Sequence, residues 1–374
     1  MKQKLNAIFN ESQAVGLNVL IANPSSVMEQ FTYGYASLEE QKPTDIHTIY
    51  RIASISKVIV ATCIMMLYDE GLVDIYEDIS KYLGYHVRNP YFPNDFITLR
   101  MLMTQTSSIC DGEDQIYGYD GVNGPTFFVD LEQLLTNPGY AYYTSKTYLQ
   151  EKPGTAYCYS NFGCGILACI IEKVTGMYFT DFVRQRLFIP MGLDASFRVE
   201  DIQHQERIAS LYEYENDAWV LIRDAKRFRE VCFPKYPLGN NFRGPAGGLF
   251  ISPLDLSKIM RMLMNEGTFE GKQYLKSTTV QLMKQIHWHT NQRVGLYQQK
   301  GLQLLILDDY GPRLYGHTGS AYGLRSFMFF DDHYGYICMC NGAKYTYRPS
   351  GITTLQEGVL QEVLRYEDRN HQAD

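Results

Sequence analysis

The stretch of sequence that decides the fold is residues 50–71, "YRIASISKVIVATCIMMLYDEG". After its first turn, almost every residue is apolar, a pattern typical of a helix that is buried on all sides. Gly71 stands at the end of the apolar run, where a glycine commonly terminates a helix. The sequence therefore predicts a core helix over residues 54–71.

The first turn of this helix carries two polar groups, Ser54 and Lys57. Positions three apart share one face of a helix, so the hydroxyl and the amine can come within hydrogen-bonding reach. An amine among apolar side chains has a lowered pKa and can accept a proton. These are the ingredients of an activated serine nucleophile, although a Ser-x-x-Lys spacing is by itself a weak signal.

A second motif lies at residues 157–163, "YCYSNFG", just before another predicted helix. The phenol of Tyr159 can relay a proton, and the amide of Asn161 offers both a donor and an acceptor. The alternative is purely structural, with Ser160 or Asn161 capping the helix.

A third motif, "YGHTGSAYG", occupies residues 315–323. Its glycines flank His317 and Thr318 at the end of a predicted strand, which permits close approach of a ligand to the backbone. Backbone N–H groups in this strand could face that of Ser54 and complete an oxyanion hole.

The order of the three motifs resembles that of the serine β-lactamase and penicillin-binding-protein superfamily. With a tyrosine in the second motif, the sequence resembles the class C β-lactamase and DD-peptidase branch of this superfamily. Class A enzymes carry a serine at that position. The resemblance continues through residues 67–84 and 153–176 and covers most of the chain. It implies an α/β (α+β) fold of the β-lactamase/transpeptidase type, with an antiparallel sheet flanked by helices and an inserted, mostly helical lobe.

The resemblance also implies a role for each motif residue. Ser54 would be the acylated nucleophile; Lys57 would take its proton and Tyr159 would shuttle a proton, with the choice of main base between these two left open. The groups implied to bind the substrate are Asn161, His317, Thr318 and Gly319, and the oxyanion hole would use the N–H groups of Ser54 and Ser320.

Three residues depart from the family pattern. His317 replaces a lysine, and a histidine is only partly charged near neutral pH. Gln105 and Ser108 replace a histidine and a glycine on the rim of the site.

The chain reads as strands, then helices, then strands again. This order predicts a single β-lactamase-like domain with two lobes, an α/β lobe from about 1–80 and 248–374 and a helical lobe from about 81–247. Strand-like runs after the helical lobe include residues 302–308, and the tail from residue 367 has a disordered composition.

Composition restricts the compartment and the partners. A net charge of −7 without a basic stripe argues against nucleic acid. There is no apolar run of roughly 18 residues for a membrane span and no secretory signal, so we expect a cytoplasmic protein. The eight cysteines lack the spacing of a disulfide framework and are expected to be reduced. The expected partner is a small-molecule or short peptide substrate, with no cofactor and no metal.

Competing sites have less support. The G-x-S-x-G motif of α/β-hydrolases is absent from the sequence. His287 and His289 alternate on one predicted strand but lack a third metal ligand nearby. The tyrosine-rich segment 117–149 would either line the substrate cleft, making it aromatic, or pack the helical lobe.

The sequence thus predicts a serine hydrolase that forms an acyl-enzyme at Ser54 and acts on an ester or amide, such as a small ester, a D-residue peptide or a β-lactam-like amide. Two alternatives use the same fold. One is an acyltransferase, and the other is a catalytically silent member that binds a ligand or partner, against which the intact set of motif residues argues.

Overall fold

The computed structural model describes residues 1–124, 127–230, 234–292 and 295–370. Its strands, in chain order, are β1 (Gly16–Ala22), β2 (Val27–Ser37), β3 (Lys42–Pro43), β4 (Tyr50–Arg51), β5 (Leu211–Glu215), β6 (Ala218–Arg223), β7 (Phe250–Ile251), β8 (Thr268–Phe269), β9 (Lys272–Gln273), β10 (Trp288–His289), β11 (Gln299–Lys300), β12 (Leu305–Leu307), β13 (Leu314–Ala321), β14 (Leu324–Phe330) and β15 (Gly335–Cys340).

The α-helices are concentrated between β4 and β5. They are α1 (Lys2–Glu11), α2 (Ser56–Asp69), α3 (Ile79–Leu83), α4 (Leu99–Thr104), α5 (Gly118–Val122), α6 (Leu131–Thr136), α7 (Asn161–Thr175), α8 (Phe179–Val183), α9 (Ala225–Glu230), α10 (Pro253–Met264), α11 (Ser277–Lys284) and α12 (Thr354–Asn370).

A nine-stranded antiparallel sheet holds the two ends of the chain together. Its strand order is β10-β11-β12-β13-β14-β15-β1-β2-β3. Strand β1 lies between β2 and β15, so that Val19 is opposite Phe31 on one side and Cys338 on the other. The predicted antiparallel sheet flanked by helices is confirmed. Within the described residues, the segment from α3 to α9 contains seven α-helices, long loops and the hairpin β5–β6, and the lobe boundaries at about 80 and 248 stay a prediction.

Both faces of the sheet are covered. Every residue of β1 is buried, as expected for a strand with packing on two sides. Leu17, Val19 and Ile21 lie in the core that the sheet forms with α1 and α12. Leu20 and Ala22 point to the opposite side and join the larger core with α2, α7 and α10.

Helix α2 is the centre of the larger core. All of its residues from Ser56 to Leu67 are buried, which confirms the predicted core helix. Gly71 follows the C-cap residue Glu70 and has a left-handed φ of +73°, as predicted for a helix-terminating glycine.

The predicted start of this helix is wrong by two residues. Ala53–Ile55 form a 3₁₀ turn that carries Ser54, and the α-helix begins at Ser56. Ala53 has φ +52°, which is incompatible with α-helical geometry. The hydroxyl of Ser56 donates to the Ala53 carbonyl (2.6 Å) and accepts from the Leu249 amide (3.1 Å). These two hydrogen bonds attach the turn to the loop before β7.

Polar residues cap the start of two other helices, and for α7 the cap is one of the two residues that the sequence offers. Ser160 caps α7 by accepting from the Gly163 amide (2.9 Å), and Gly176 ends this helix with φ +68°. Ser252 caps α10 by accepting from the Asp255 amide (3.1 Å), with Pro253 in the first turn.

Two predictions near the C-terminal end are wrong. The strand predicted over 302–308 begins with a tight turn, because the Gly301 amide donates to the Leu304 carbonyl (2.9 Å). Only Leu305–Leu307 form a strand. The disordered tail predicted from residue 367 is wrong for residues 367–370, whose backbone continues α12, and residues 371–374 lie outside the described part of the chain.

Within the ranges given above, no single helix is long and apolar enough to cross a membrane. In this part of the chain, one pair of helices, Asn161–Thr175 and Phe179–Phe188, is together long and apolar enough, but the pair is bent by 79°.

Strand β13 packs directly against the 3₁₀ turn that carries Ser54. A Cβ atom on Gly319 would lie 2.3 Å from the Ile52 carbonyl oxygen and 2.3 Å from the Ser326 hydroxyl. Since no carbon atom fits at such distances, only glycine allows this approach of strand and turn.

We expect Gly319→Ala to lower the free energy of unfolding by about 1–3 kcal/mol, because the added methyl group forces the strand and the turn apart. Urea denaturation followed by circular dichroism measures this. Gly358→Ala on α12 is the control, since its Cβ would meet only Ile8 side-chain atoms at 3.6–3.9 Å and alanine favours a helix. Equal stability of the two variants would contradict the close packing of β13 on the turn.

Candidate active site

The first two sequence motifs meet at the hydroxyl of Ser54. The Lys57 amine nitrogen lies 3.2 Å from Ser54 Oγ, and the Tyr159 hydroxyl lies 2.6 Å from the same atom. Helix α2 supplies the lysine, and the loop before α7 supplies the tyrosine. Two segments about a hundred residues apart in the chain thus converge on one oxygen.

The amine of Lys57 is fully buried and has three polar neighbours. Besides Ser54 Oγ, these are Asn161 Oδ1 at 2.8 Å and the Ala246 carbonyl oxygen at 2.9 Å. The two carbonyl-type oxygens can only accept, so they occupy two N–H groups. A neutral amine then has its lone pair left for the hydroxyl proton of Ser54.

Burial is the main influence on the protonation of Lys57. It lowers the pKa of the amine to about 8, although the nearby Cys164 and Asp111 act to raise it. Below this pKa the amine is mostly charged, and above it the amine is mostly a free base. Lys57 can therefore accept a proton at a pH where an exposed lysine cannot.

Asp111 orients Asn161, and the sequence motifs do not reveal it. Its carboxylate accepts from the Asn161 side-chain nitrogen (2.8 Å), from the amides of Asn161 (3.1 Å) and Phe162 (2.8 Å), and from the Ser160 hydroxyl (3.0 Å). Because a carboxylate accepts hydrogen bonds, the amide nitrogen of Asn161 faces Asp111 and its oxygen faces Lys57. The position at the start of α7 also suits a negative charge.

Tyr159 is placed to donate rather than to accept. Burial raises the pKa of its phenol, and the hydrogen bond with Ser54 offsets only part of that rise. The phenol therefore keeps its proton at neutral pH and donates it to Ser54 Oγ. Of the two bases that the sequence leaves open, this arrangement favours Lys57.

His317 is buried at the edge of the site, with its ring 6.3 Å from that of Tyr159. Its Nδ1 lies 2.6 Å from the Thr318 carbonyl oxygen, which only accepts, so we assign the ring hydrogen to Nδ1. Its Nε2 has no partner among the described residues. Burial, then the charges of Lys300 and Lys57, hold the pKa of His317 well below its usual value. The imidazole is therefore neutral. The sequence alone predicts a partly charged histidine, because it does not reveal the burial of the ring.

The remaining residues of the third motif follow along β13. Strand β12 pairs only with the part of β13 from Leu314 to Gly316. From His317 to Ala321, this edge of β13 has no strand partner in the described ranges. Such an edge can bind an extended segment of a ligand through its backbone. The roles of Thr318 and Gly319, and of the N–H groups of Ser54 and Ser320 as an oxyanion hole, stay predictions.

Aromatic rings line the site next to Tyr159. The ring of Tyr297 is 5.7 Å from that of Tyr159, Tyr157 is 5.2 Å from Tyr297, and Trp288 is 5.1 Å from Tyr157. The Tyr157 hydroxyl also donates to Gln105 Oε1 (3.1 Å). Gln105, which stands where the family has a histidine, thus contacts this aromatic wall.

The aromatic wall does not come from the predicted tyrosine-rich segment 117–149. Within that segment, Tyr119 stacks on Phe162 at 5.3 Å and is buried. Tyr148 is also buried and donates to the Leu135 carbonyl (2.9 Å). These tyrosines pack the helical part of the chain, which was the second of the two alternatives.

The two histidines around Trp288 do not converge. The His287 ring is hydrogen-bonded to the Leu282 carbonyl oxygen (2.8 Å), and His289 is exposed. No group of three or more potential ligands that could hold a metal ion occurs in the described ranges.

A family model described as Beta-lactamase matches residues 2–357. The chain belongs to the Beta-lactamase family. Among its relatives, Penicillin-binding protein 4* of Bacillus subtilis is 26% identical over 236 residues, which cover 62% of this chain and 49% of that protein. The chain thus matches about half the length of this relative.

Solved structures of the family share the fold. The octameric penicillin-binding protein homologue from Pyrococcus abyssi has a TM-score of 0.71 at 22% identity, with 93% of this chain and 74% of that chain covered. D-amino acid amidase from Ochrobactrum anthropi SV3, complexed with L-phenylalanine amide, has a TM-score of 0.73 at 21% identity, with 99% and 98% covered.

Lys300 is a further ionisable group of this family member that the sequence motifs do not identify. It lies on β11 and is fully buried, and its amine has no hydrogen-bond partner in the part of the chain that the structure describes. Burial and the charge of Lys57 lower its pKa to about 7. A single lysine on a two-residue strand carries no sequence signal of this placement.

Two cysteines next to site residues contact each other. The sulfur atoms of Cys110 and Cys158 are 2.8 Å apart, and each cysteine precedes a residue of the site, Asp111 and Tyr159. The seven cysteines in the described ranges are free thiols, which confirms the prediction for them. Cys232 lies outside the described residues.

We expect Asp111→Asn to slow the reaction of Ser54 with a fluorophosphonate by on the order of tenfold to 100-fold, because a misplaced Asn161 no longer orients Lys57. The substitution puts an amide nitrogen against N–H donors, so the free energy of unfolding should also fall by about 1–3 kcal/mol. Labelling rates and urea denaturation measure the two effects. Asp332→Asn, at a carboxylate that is 75% exposed, is the control and should change neither. An unchanged labelling rate in Asp111→Asn would contradict the positioning role.

Proposed function

We propose that this protein is a serine hydrolase that forms an acyl-enzyme at Ser54 and cleaves an ester or amide. The observation that carries the proposal is the hydrogen bonding of Lys57. Asn161 and Ala246 take its two N–H groups at 2.8 and 2.9 Å, which leaves the lone pair for Ser54. A serine paired with a base in this way is an activated nucleophile.

The first step would be acylation. Neutral Lys57 takes the proton of Ser54 while Oγ attacks the carbonyl carbon of the substrate. The negative charge that develops on the carbonyl oxygen would be bound by the N–H groups of Ser54 and Ser320, which is where preorganised donors contribute most.

The proton held by Lys57 must then reach the leaving group. Tyr159 contacts the same Oγ at 2.6 Å, so it is placed to donate its phenol proton to the leaving oxygen or nitrogen and to receive the proton of Lys57 in exchange. Deacylation would run through the same groups in reverse, with water giving up a proton and Ser54 regaining one.

The family and the neutral His317 both support a proposal for the substrate class. Since the imidazole is neutral, it offers a hydrogen-bonding nitrogen instead of the cation that a lysine provides. This favours esterase-like or D-peptidase-like chemistry of the class C and DD-peptidase type over efficient β-lactam hydrolysis. The structural likeness to D-amino acid amidase supports small amides as candidates beside esters.

The pH dependence should follow the protonation of Lys57. With a pKa of about 8, the neutral base increases as the pH rises, so kcat/KM for a neutral p-nitrophenyl ester should rise with a midpoint of about 8 and be roughly 100-fold lower two pH units below it. Stopped assays from about pH 6 to about pH 10 measure this. Lys57→Met should abolish turnover, and the exposed Lys81→Met should keep the profile. A rate that falls over this range would contradict Lys57 as the base.

Covalent labelling tests the nucleophile directly. A fluorophosphonate should form an adduct at Ser54, located by mass spectrometry, and Ser54→Ala should prevent it, whereas Ser25→Ala, in an exposed turn, should not. A fluorescent penicillin used in parallel separates β-lactam-recognising from esterase-like chemistry. The absence of a Ser54 adduct with both probes would contradict the hydrolase and favour a silent, ligand-binding member of the fold.

A further inference from the structure

A cavity of about 360 Å³ lies beside the Ser54 site. Its wall includes Gly244, Pro245 and Gly248, the residues that flank Ala246. Because the Ala246 carbonyl accepts from Lys57 at 2.9 Å, the cavity and the catalytic lysine share one loop. The volume lies in the range of small-molecule binding sites.

Two arginines without ionic partners face this cavity. The guanidinium of Arg51 lies 4.9 Å from the ring centre of Tyr322, and that of Arg223 lies 4.1 Å from it. All three residues line the cavity. Neither arginine forms an ion pair with any residue in the described ranges, whereas partly buried charges are normally paired.

The other charged groups of the wall have partners. Arg243 donates to the carbonyl groups of Val122 and Phe127, at 3.0 and 2.6 Å. Lys235 pairs with Asp181 at 3.0 Å, and Arg198 pairs with Glu200. Glu172 is the one carboxylate among the described lining residues, and it accepts from the amides of Phe179 and Gly239 and from Asn241, at 2.7–3.1 Å. The unpaired charge in the cavity is therefore positive.

The positive charge of the two arginines affects the pKa of Tyr322. Its burial alone would raise the pKa of the phenol, but the charges and hydrogen bonds of Arg51 and Arg223 outweigh burial and lower the pKa. The wall also contains apolar aromatic side chains, among them Phe197, Phe228 and Phe250. A ligand that suits both features carries an anionic group on a short apolar arm.

The position of the cavity relative to Ser54 indicates which part of a substrate enters it. Tyr159, the proposed proton donor to the leaving group, lies near the middle of β13. Its ring is 6.3 Å from the ring of His317. Tyr322 follows the last residue of this strand, Ala321, which lies roughly 13 Å from His317 along the extended backbone. A substrate that lies along this edge with its leaving group near Tyr159 therefore has its acyl group directed toward Arg51, which is three residues before Ser54.

We propose that the cavity lined by Arg51, Arg223 and Tyr322 binds a carboxylate on the acyl part of the substrate, so that the enzyme prefers esters or amides of dicarboxylic or other acidic acyl groups. This substrate class presupposes the acyl-enzyme at Ser54. The carboxylate would be held by charge-assisted hydrogen bonds from the two guanidinium groups, which are planar and suited to a carboxylate.

Two esters with the same leaving group and chain length test this selectivity, mono-p-nitrophenyl glutarate and p-nitrophenyl pentanoate. They differ only in a terminal carboxylate in place of a methyl group. After subtraction of the uncatalysed rate, we expect kcat/KM to be at least about tenfold higher for the glutarate ester. A preference for pentanoate, or no preference, would overturn the assignment of the cavity.

Substitutions of the arginines identify the source of the preference. Arg223→Gln and Arg51→Gln should each lower the ratio of the two kcat/KM values by about tenfold while hydrolysis of the pentanoate ester persists. Arg227→Gln is the matched control, because this arginine is exposed on α9 and does not line the cavity. A ratio that stays unchanged in both cavity variants would also overturn the proposal.

A binding measurement separates failure of this inference from failure of the hydrolase. Ser54→Ala protein is titrated with monomethyl glutarate and with methyl pentanoate and followed by NMR chemical shifts, which needs no turnover. We expect glutarate to bind more tightly than pentanoate, and Ser54→Ala/Arg223→Gln to lose that difference. Equal binding of the two ligands would overturn the acidic preference even in an active hydrolase. Absence of a Ser54 adduct together with selective binding would overturn only the catalytic step.

Discussion

The site depends on one constraint, a lysine amine that is fully buried without a carboxylate in contact with it. A charged amine in such a place is costly, and Lys57 avoids much of that cost by losing its proton at a pH of about 8. Its N–H groups still need acceptors, and Asn161 and Ala246 supply them. Asp111 fixes the amide of Asn161, so the direction of the lone pair on Lys57 is determined by a chain of hydrogen bonds that begins outside the three motifs.

Charge is distributed unevenly around Ser54. Lys57, Lys300 and His317 are all buried cations when protonated, and their mutual repulsion adds to burial in lowering the pKa values of Lys300 and His317. The immediate surroundings of Ser54 are therefore basic, and they become mostly uncharged only above a pH of about 8, where Lys57 has lost its proton. Permanent positive charge is located on Arg51 and Arg223, in the cavity that also contacts the loop around Ala246. Because the guanidinium groups are separate from Lys57, they can bind the proposed anionic acyl group without strongly repelling the protonated form of Lys57.

The parts of this arrangement that the sequence predicts are those with local signals. The apolar run of α2, its terminal Gly71 and the cap at Ser160 are read from neighbours in the chain, and the family motifs bring Ser54 and Lys57 together with the loop before α7. Asp111 and Lys300 could not be predicted, because their importance comes from contacts with residues dozens to hundreds of positions away.

Local patterns also misplace some details. The left-handed Ala53, which delays the start of α2, has no signature in a residue type that normally favours helices. The aromatic wall shows the same limit, since a dense run of tyrosines between 117 and 149 suggests a cleft, yet Tyr297 and Trp288 provide it. The central claim remains the neutral amine of Lys57, and an NMR titration of side-chain ¹⁵N-labelled lysine, with the signal assigned by its loss in Lys57→Met, tests it most directly. A midpoint of about 8 is predicted, whereas a midpoint at or above the ordinary lysine value of about 10.4 would contradict the account.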